Sequence, residues 1–171
     1  ANAGSQSADG YEFDLVISPT ENTDLAVSGL FIDPIYDSYV GAAPGDLSGT
    51  VPSNTPEDTI SSTITWNYNI SGWDSFLRIS HLYSSKAQLL ENPVHQALIE
   101  AQGNGYREQD TLNLTAGFEK DNLSITLWGK NINDDEFLTS AFIGVADLSE
   151  TTFFGYPNSF KSYGLTLNYS F

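Results

Sequence analysis

Apolar and polar residues alternate with a period of two along most of this 171-residue chain. Such alternation is typical of strands that place one face in an apolar environment and the other in a polar one. A helical period occurs only at residues 93–101, which predicts a short helix inside a loop. The fold class predicted is therefore all-β. Seven strands are predicted, over residues 11–18, 24–33, 59–69, 75–84, 112–119, 123–128 and 163–171.

The connections between these strands alternate in length. Those at 19–23, 70–74 and 120–122 are tight, whereas those at 37–58, 86–107 and 134–158 are long. Short turns on one side and long loops on the other are typical of up-and-down barrels in bacterial outer membranes. A soluble β-sandwich also has alternating strands and remains an alternative, but it has no reason to place every long loop at one end.

The composition of the two strand faces favours the membrane. The polar faces carry small hydrogen-bonding residues, which suit a wet or plugged lumen. Aromatic residues prefer membrane interfaces and form two girdles around barrels. Near the predicted strand ends lie Tyr11, Trp66, Tyr68, Tyr83, Phe118, Tyr163, Tyr169 and Phe171. The prediction is a transmembrane antiparallel β-barrel; because free strand edges are not tolerated in lipid, further strands or a partner copy must complete the wall.

Charge and composition exclude several classes of function. The 22 acidic residues against 6 basic ones give a net charge of −16, which argues against a nucleic-acid partner, because binding phosphates needs a basic face. The absence of cysteine excludes disulfides, thiolate zinc sites and thiol catalysis. The chain contains no methionine, so we expect a processed or excised piece of a longer protein.

Two motifs near the end of the chain resemble known sequences. Residues 162–171 resemble the C-terminal assembly signal of outer-membrane proteins, in which a glycine precedes alternating apolar residues and an aromatic residue ends the chain. The positions that match are Gly164, Leu165, Leu167, Tyr169 and Phe171. The run Leu-Trp-Gly-Lys-Asn-Ile-Asn-Asp-Asp-Glu-Phe at 127–137 resembles the penultimate-strand motif of TonB-dependent receptors. Prolines at 52 and 56, and Gly-Tyr-Pro at 155–157, are similar to that family as well.

This resemblance implies a 22-stranded barrel in the outer membrane of a Gram-negative bacterium, of which residues 1–171 would be the C-terminal part. The plug domain, the energy-coupling box and the N-terminal strands are expected outside this chain. The implied function is TonB-dependent uptake of a scarce ligand such as an iron–siderophore complex. The implied partners are the TonB complex, lipid and lipopolysaccharide, and the assembly machinery. Alternatives are a passive channel or adhesion barrel, or a secreted β-sandwich binding module.

No catalytic constellation is present, so neither an enzyme nor a cofactor is predicted. The two histidines, His81 and His95, have no second ligand at useful spacing. Acidic clusters at 134–136 and at Asp33 and Asp37 could bind Ca²⁺. They could equally form a rim that divalent ions bridge to lipopolysaccharide phosphates, and no metal site is predicted.

A ligand site is expected at the outer end of the barrel, because in TonB-dependent receptors the extracellular loops and nearby inward residues bind the ligand. Here that nominates segments 40–56, 87–106 and 138–157. An aromatic and polar mixture suited to a sizeable ligand is found at Tyr106, Arg107, Phe153, Phe154 and Tyr156. Packing of one loop on another is the alternative role for these aromatics.

Overall fold

The computed structural model describes residues 4–40, 45–144 and 152–171. Seven strands form one antiparallel sheet in the order β1-β2-β3-β4-β5-β6-β9, and β7 and β8 form a separate hairpin. The strands are β1 (Ser5–Thr20), β2 (Thr23–Ser38), β3 (Asp58–Ile70), β4 (Trp73–Gln88), β5 (Tyr106–Lys120), β6 (Leu123–Lys130), β7 (Leu138–Ile143), β8 (Phe153–Pro157) and β9 (Ser162–Tyr169). The seven predicted strands are confirmed, and each sheet strand pairs with its predecessor along the chain.

Two features differ from the predictions. Strands β1 to β5 are longer than predicted; β1, for example, has 16 residues. The residues added at the start of β1, the end of β4 and the start of β5 are mostly polar on both faces, so the period-two signal fades there before the strand ends. The β7–β8 hairpin within the third long connection was not predicted, because its strands have only 6 and 5 residues. The helix α1 (Pro93–Ala101) is confirmed, with the Asn92 side chain capping its first turn.

Register places the apolar side chains on one face. Paired residues lie on the same side of a sheet, so one row of partners can be followed across all seven strands. That row consists of Ile17, Leu25, Ile64, Ile79, Leu114, Gly129 and Tyr163. A neighbouring row on the opposite face consists of Asp24, Thr65, Arg78, Thr115, Trp128 and Gly164. The two-faced sheet predicted from alternation is confirmed.

The short connections all lie at one end of the sheet and contain two residues each, at 21–22, 71–72 and 121–122. Positive φ angles at Ser71 (54°), Gly72 (81°) and Asp121 (51°) permit tight turns whose twist matches that of the strands. The long connections lie at the opposite end, which we call the loop end.

Neither face of the sheet is covered by other described residues. On the apolar face Leu165 is 57% exposed and Leu167 is 61% exposed. A sandwich would need a second sheet packed against this face, and the described residues form only this sheet and the small hairpin. In the described part of the chain, no helix is long and apolar enough to cross a membrane. The deeply buried apolar side chains lie instead at the loop end: Tyr36, Leu47, Ala87, Leu89 and Ile99.

Candidate functional site

Two of the long connections are bonded to each other at the loop end. The Asn54 amide N–H donates to the Gln88 carbonyl (2.8 Å), and the Asn54 side chain donates to the Leu89 carbonyl (3.2 Å). The Ser53 amide donates to the Glu91 carboxylate (3.0 Å). These bonds join the connection before β3 to the one after β4, so the two loops form one unit with its own buried residues.

Buried Gln96 joins helix α1 to the segments that precede and follow it in the same loop. Its side-chain amide donates to the Gly105 carbonyl (2.5 Å) and to the Glu100 carboxylate (2.9 Å), while its oxygen accepts from the Leu90 amide (3.0 Å). A hydrogen bond from the Tyr106 hydroxyl, and secondarily the one from Gln96, lowers the pKa of Glu100. The same Glu100 bond raises the pKa of Tyr106.

The structure places Tyr106 and Arg107 differently from one another. They are the first two residues of β5, so their side chains lie on opposite faces. The Tyr106 ring also lies under the Lys86 ammonium, 3.8 Å from the ring centroid. The Arg107 Nε atom is buried and has no hydrogen-bond partner among the described residues. These two residues therefore do not line one surface together, and Tyr106 is engaged in holding α1.

The β7–β8 hairpin carries an aromatic cluster. Phe142 pairs with Phe154, and their ring centroids are 5.6 Å apart with planes inclined by 23°. Tyr156 lies 5.8 Å from Phe142 on the same face. All three rings are open to solvent, with exposures of 44% for Phe142, 53% for Phe154 and 62% for Tyr156. We call these three residues the hairpin aromatic face.

The hairpin separates the three candidate residues that were nominated in this segment. Phe154 and Tyr156 lie together, whereas Phe153 alternates to the opposite face of β8. Phe142 was not nominated, although it stacks on Phe154 and its ring centroid lies 5.8 Å from that of Tyr156. Recognising it required pairing β7 with β8 across residues 144–152, for which the sequence shows no turn signal of its own. Parts of the nominated segments, residues 41–44 and 145–151, lie outside the described residues.

The residues of the motif at 127–137 that follow β6 form a hydrogen-bond network at the base of the hairpin. Asn131 is 2% exposed and has a positive φ of 50°. Its side-chain nitrogen donates to the Asp135 carbonyl (2.8 Å) and the Ser159 carbonyl (3.0 Å), and its side-chain oxygen accepts from the Asp135 amide (2.8 Å). The Asn158 side chain also donates to the Asp135 carbonyl (2.7 Å). This hydrogen-bond network therefore joins the segments that enter and leave the hairpin.

The acidic clusters have structural partners. The Asp135 carboxylate accepts from the Asp110 amide (2.8 Å) and the Thr111 hydroxyl (3.2 Å), which satisfies the edge of β5 beyond the end of β6. Asp37 accepts from the Ser7 hydroxyl (2.7 Å). Among the described residues, no group of three or more histidine or acidic side chains is arranged to hold a metal ion. His81 contacts the Asp110 carboxylate at 2.5 Å, on the apolar face of the sheet.

The C-terminal motif forms β9 and its approach. Leu165, Leu167 and Tyr169 pair with apolar positions of β6 and face outward from the apolar side. Gly164 lies opposite Trp128, and a Cβ added there would overlap the indole ring, whose Cη2 atom would be only 2.7 Å away. The indole N–H donates to the Thr166 hydroxyl (3.3 Å). Phe171 follows the end of β9 and is fully exposed.

The sheet defines the class of fold. Seven sequential antiparallel strands with one apolar face, one polar face, tight turns at one end and long loops at the other form part of the wall of an up-and-down β-barrel. No family model matches the chain. No curated protein matches its sequence.

A solved structure shows which barrels share this fold. The chain is similar to the ferric yersiniabactin uptake receptor FyuA from Yersinia pestis, with a TM-score of 0.77 and 14% sequence identity. The similarity covers 99% of this chain and 24% of that receptor's chain. The chain therefore has the fold of a portion of that receptor.

Proposed function

We propose that the chain is the C-terminal part of the barrel of a TonB-dependent outer-membrane receptor, which takes up a scarce ligand such as an iron–siderophore complex. The observation that carries this proposal is the two-faced sheet. The chain that forms this sheet matches part of a ferric yersiniabactin uptake receptor over 99% of the chain's own length. Its apolar face suits lipid, and its polar face suits a lumen occupied by a plug domain.

The edges of the sheet support the proposal that other strands belong to the same wall. Among the described residues, β1 and β9 each pair on one side only. Unpaired backbone groups cost several kcal/mol each in hydrocarbon. The remaining strands of the receptor would supply these partners, and the TonB complex would act through the plug.

Orientation follows from the loops. Outer-membrane barrels have short turns in the periplasm and long loops outside. The loop end, with the hairpin aromatic face, is therefore proposed to lie outside the cell in contact with lipopolysaccharide headgroups. The two-residue turns would lie in the periplasm.

The proposal is tested by uptake into cells that carry or lack the complete receptor. A panel of ⁵⁵Fe-loaded siderophores is supplied, with and without a protonophore that abolishes energy coupling. We expect at least one complex to accumulate only in energised cells with the receptor. Accumulation that persists after uncoupling would indicate a passive channel instead. An adhesion barrel would give no accumulation at all, and either outcome would refute the proposal.

A further inference from the structure

We propose that a groove on the apolar face binds the headgroup of a zwitterionic membrane phospholipid that carries a primary amine. The groove lies at the end of the sheet that holds the two-residue connections, which we call the turn end. This inference rests on the proposed function, because it needs the apolar face in lipid and the turn end at the periplasmic leaflet. Lys120 binds the lipid phosphate, and Asp121 binds the lipid ammonium.

The register of the last strands places this groove on the apolar face. Lys120 pairs with Leu123, and Leu123 pairs with Tyr169, so these three side chains lie on the same side of the sheet. Tyr169 alternates with Leu165 and Leu167, which identifies that side as the apolar one. The groove has a volume of about 370 Å³ and is lined by Trp73, Lys120, Asp121, Asn122, Leu123 and Tyr169. It therefore combines apolar walls with one positive and one negative side chain.

The aromatic side chains of the groove indicate the level of the lipid headgroups. Trp73 begins β4 and Tyr169 ends β9, and both line the groove. Trp and Tyr prefer the interface between membrane and water, where one end of the ring is apolar and the other is wet. The next pair of residues towards the loop end, Leu167 and Ile125, is purely apolar. The groove therefore lies where acyl chains give way to headgroups.

Lys120 has no counter-ion in the described part of the chain, where the one ion pair joins His81 to Asp110. Its Nζ atom lies beside the neighbouring two-residue turn, 3.8 Å from the position that a Cβ would take at Gly72. A lysine can lay its stem along apolar surface while its ammonium stays in the polar layer. Lysine also binds phosphate as a point charge. Lys120 is thus placed to bind the phosphate of a lipid whose acyl chains lie along the apolar face.

Asp121 determines which headgroup fits. It lines the same groove as Lys120 but forms no ion pair with it. The two opposite charges are therefore held apart, as are the phosphate and the ammonium of a zwitterionic headgroup. Three further acidic residues near the turn end, Asp24, Asp74 and Glu119, lie on the polar face. Their negative potential disfavours a lipid with a net negative charge.

The test is native mass spectrometry of the complete receptor, purified in detergent and titrated with one phospholipid at a time. The probes share their acyl chains and carry phosphoethanolamine, phosphocholine or phosphoglycerol headgroups. We expect the ethanolamine lipid to bind most tightly, because choline has no N–H to donate and glycerol has no ammonium. Lys120→Gln should weaken binding of the ethanolamine and glycerol lipids by about two- to fivefold, the range for a charge pair at a partly exposed site. Asp121→Asn should weaken the ethanolamine lipid by a similar factor and should not weaken the glycerol lipid.

Lys161→Gln is the matched control, because it removes the same charge just before the other end of β9, outside the groove. It should leave the binding of all three lipids unchanged, and heat-modifiable gel mobility shows that each variant is folded. Equal affinity for the three headgroups would overturn the proposal, as would tighter binding of the glycerol lipid. Equal weakening by Lys161→Gln and Lys120→Gln would show a general effect of charge and would also overturn it. Energised ⁵⁵Fe uptake alongside any of these outcomes would leave the proposed function standing, whereas the expected lipid pattern without uptake would refute the proposed function alone.

Discussion

Gly164 makes room for Trp128, and replacing it with alanine tests whether this contact stabilises the last two sheet strands. The indole ring lies against Gly164, and its N–H donates to the Thr166 hydroxyl at 3.3 Å. An added Cβ would overlap the ring, and the ring would have to leave. Overpacking of this kind costs about 1–3 kcal/mol. We therefore expect Gly164→Ala to lower the free energy of unfolding by an amount in that range.

The sign of this effect should reverse when the indole is absent. Gly164 does not have a positive φ, since the described glycines with positive φ are at 45, 49, 72 and 103. Alanine at a compatible position stabilises by about 0.4–1 kcal/mol, because it restricts the unfolded chain. In a Trp128→Ala background Gly164→Ala should therefore become neutral or stabilising. The coupling energy between the two positions is the difference between these effects, about 1–4 kcal/mol.

The measurement is urea unfolding of the complete receptor in lipid vesicles, followed by the heat-modifiable mobility of the folded barrel on gels. Asn168→Ala is the control, because Asn168 lies on the same face of β9 opposite Ser124 and not beneath the indole. Additive effects of Gly164→Ala and Trp128→Ala would refute the packing argument. Failure of Gly164→Ala to assemble in both backgrounds, with Trp128→Ala alone assembling normally, would show that the glycine is needed for recognition by the assembly machinery instead.

Three further predictions concern the faces, the orientation and the loop unit. Leu165→Arg, in the apolar row, should destabilise by about 2–4 kcal/mol and block assembly, whereas Thr166→Lys on the polar face should assemble normally, as judged by gel mobility; equal damage would refute the two-faced reading. A cysteine at Gly103 should react with an impermeant thiol reagent on intact cells and one at Asn122 should not, and the reverse would invert the orientation. The pKa of Glu100 is lowered from 4.5 in the fold, so its contribution to holding α1 is present above that pH and is lost as the pH falls; amide exchange in α1, corrected for intrinsic rates, should rise in acid, and Glu100→Gln should remove this pH dependence.

The strands and their faces could be predicted because a sheet with one apolar and one polar face requires each strand residue to match the face on which it lies. Ile64, Ile79 and Leu114 are neighbours on one face of the sheet, and alternation within each strand assigns each of them to an apolar face. Beyond its apolar stretch, a strand no longer needs to alternate apolar and polar residues. The start of β1, the end of β4 and the start of β5 lie in such polar stretches, and alternation therefore did not predict them.

The loop end could be predicted only in outline. Gln96 is polar and lies in a segment that alternation does not describe, yet it is buried and makes three hydrogen bonds that hold α1. Phe142 was missed because its partner Phe154 is brought to it by a pairing that no turn motif announces. Both contacts depend on which segments meet in space, and single-sequence periodicity carries no information about that.

The motif that contains Asn131 belongs to both the sheet and the loop end. The motif at 127–137 begins as a strand whose residues obey the alternation of the sheet and ends as a loop whose side chains replace strand pairing. Asn133 and Asp135 bond the backbone of β5 at Leu112 and Asp110, where β6 has already ended. Buried polar groups that are fully paired favour one arrangement over its competitors. The motif therefore completes the edge of β5 and, through Asn131, fixes the base from which the hairpin presents its rings.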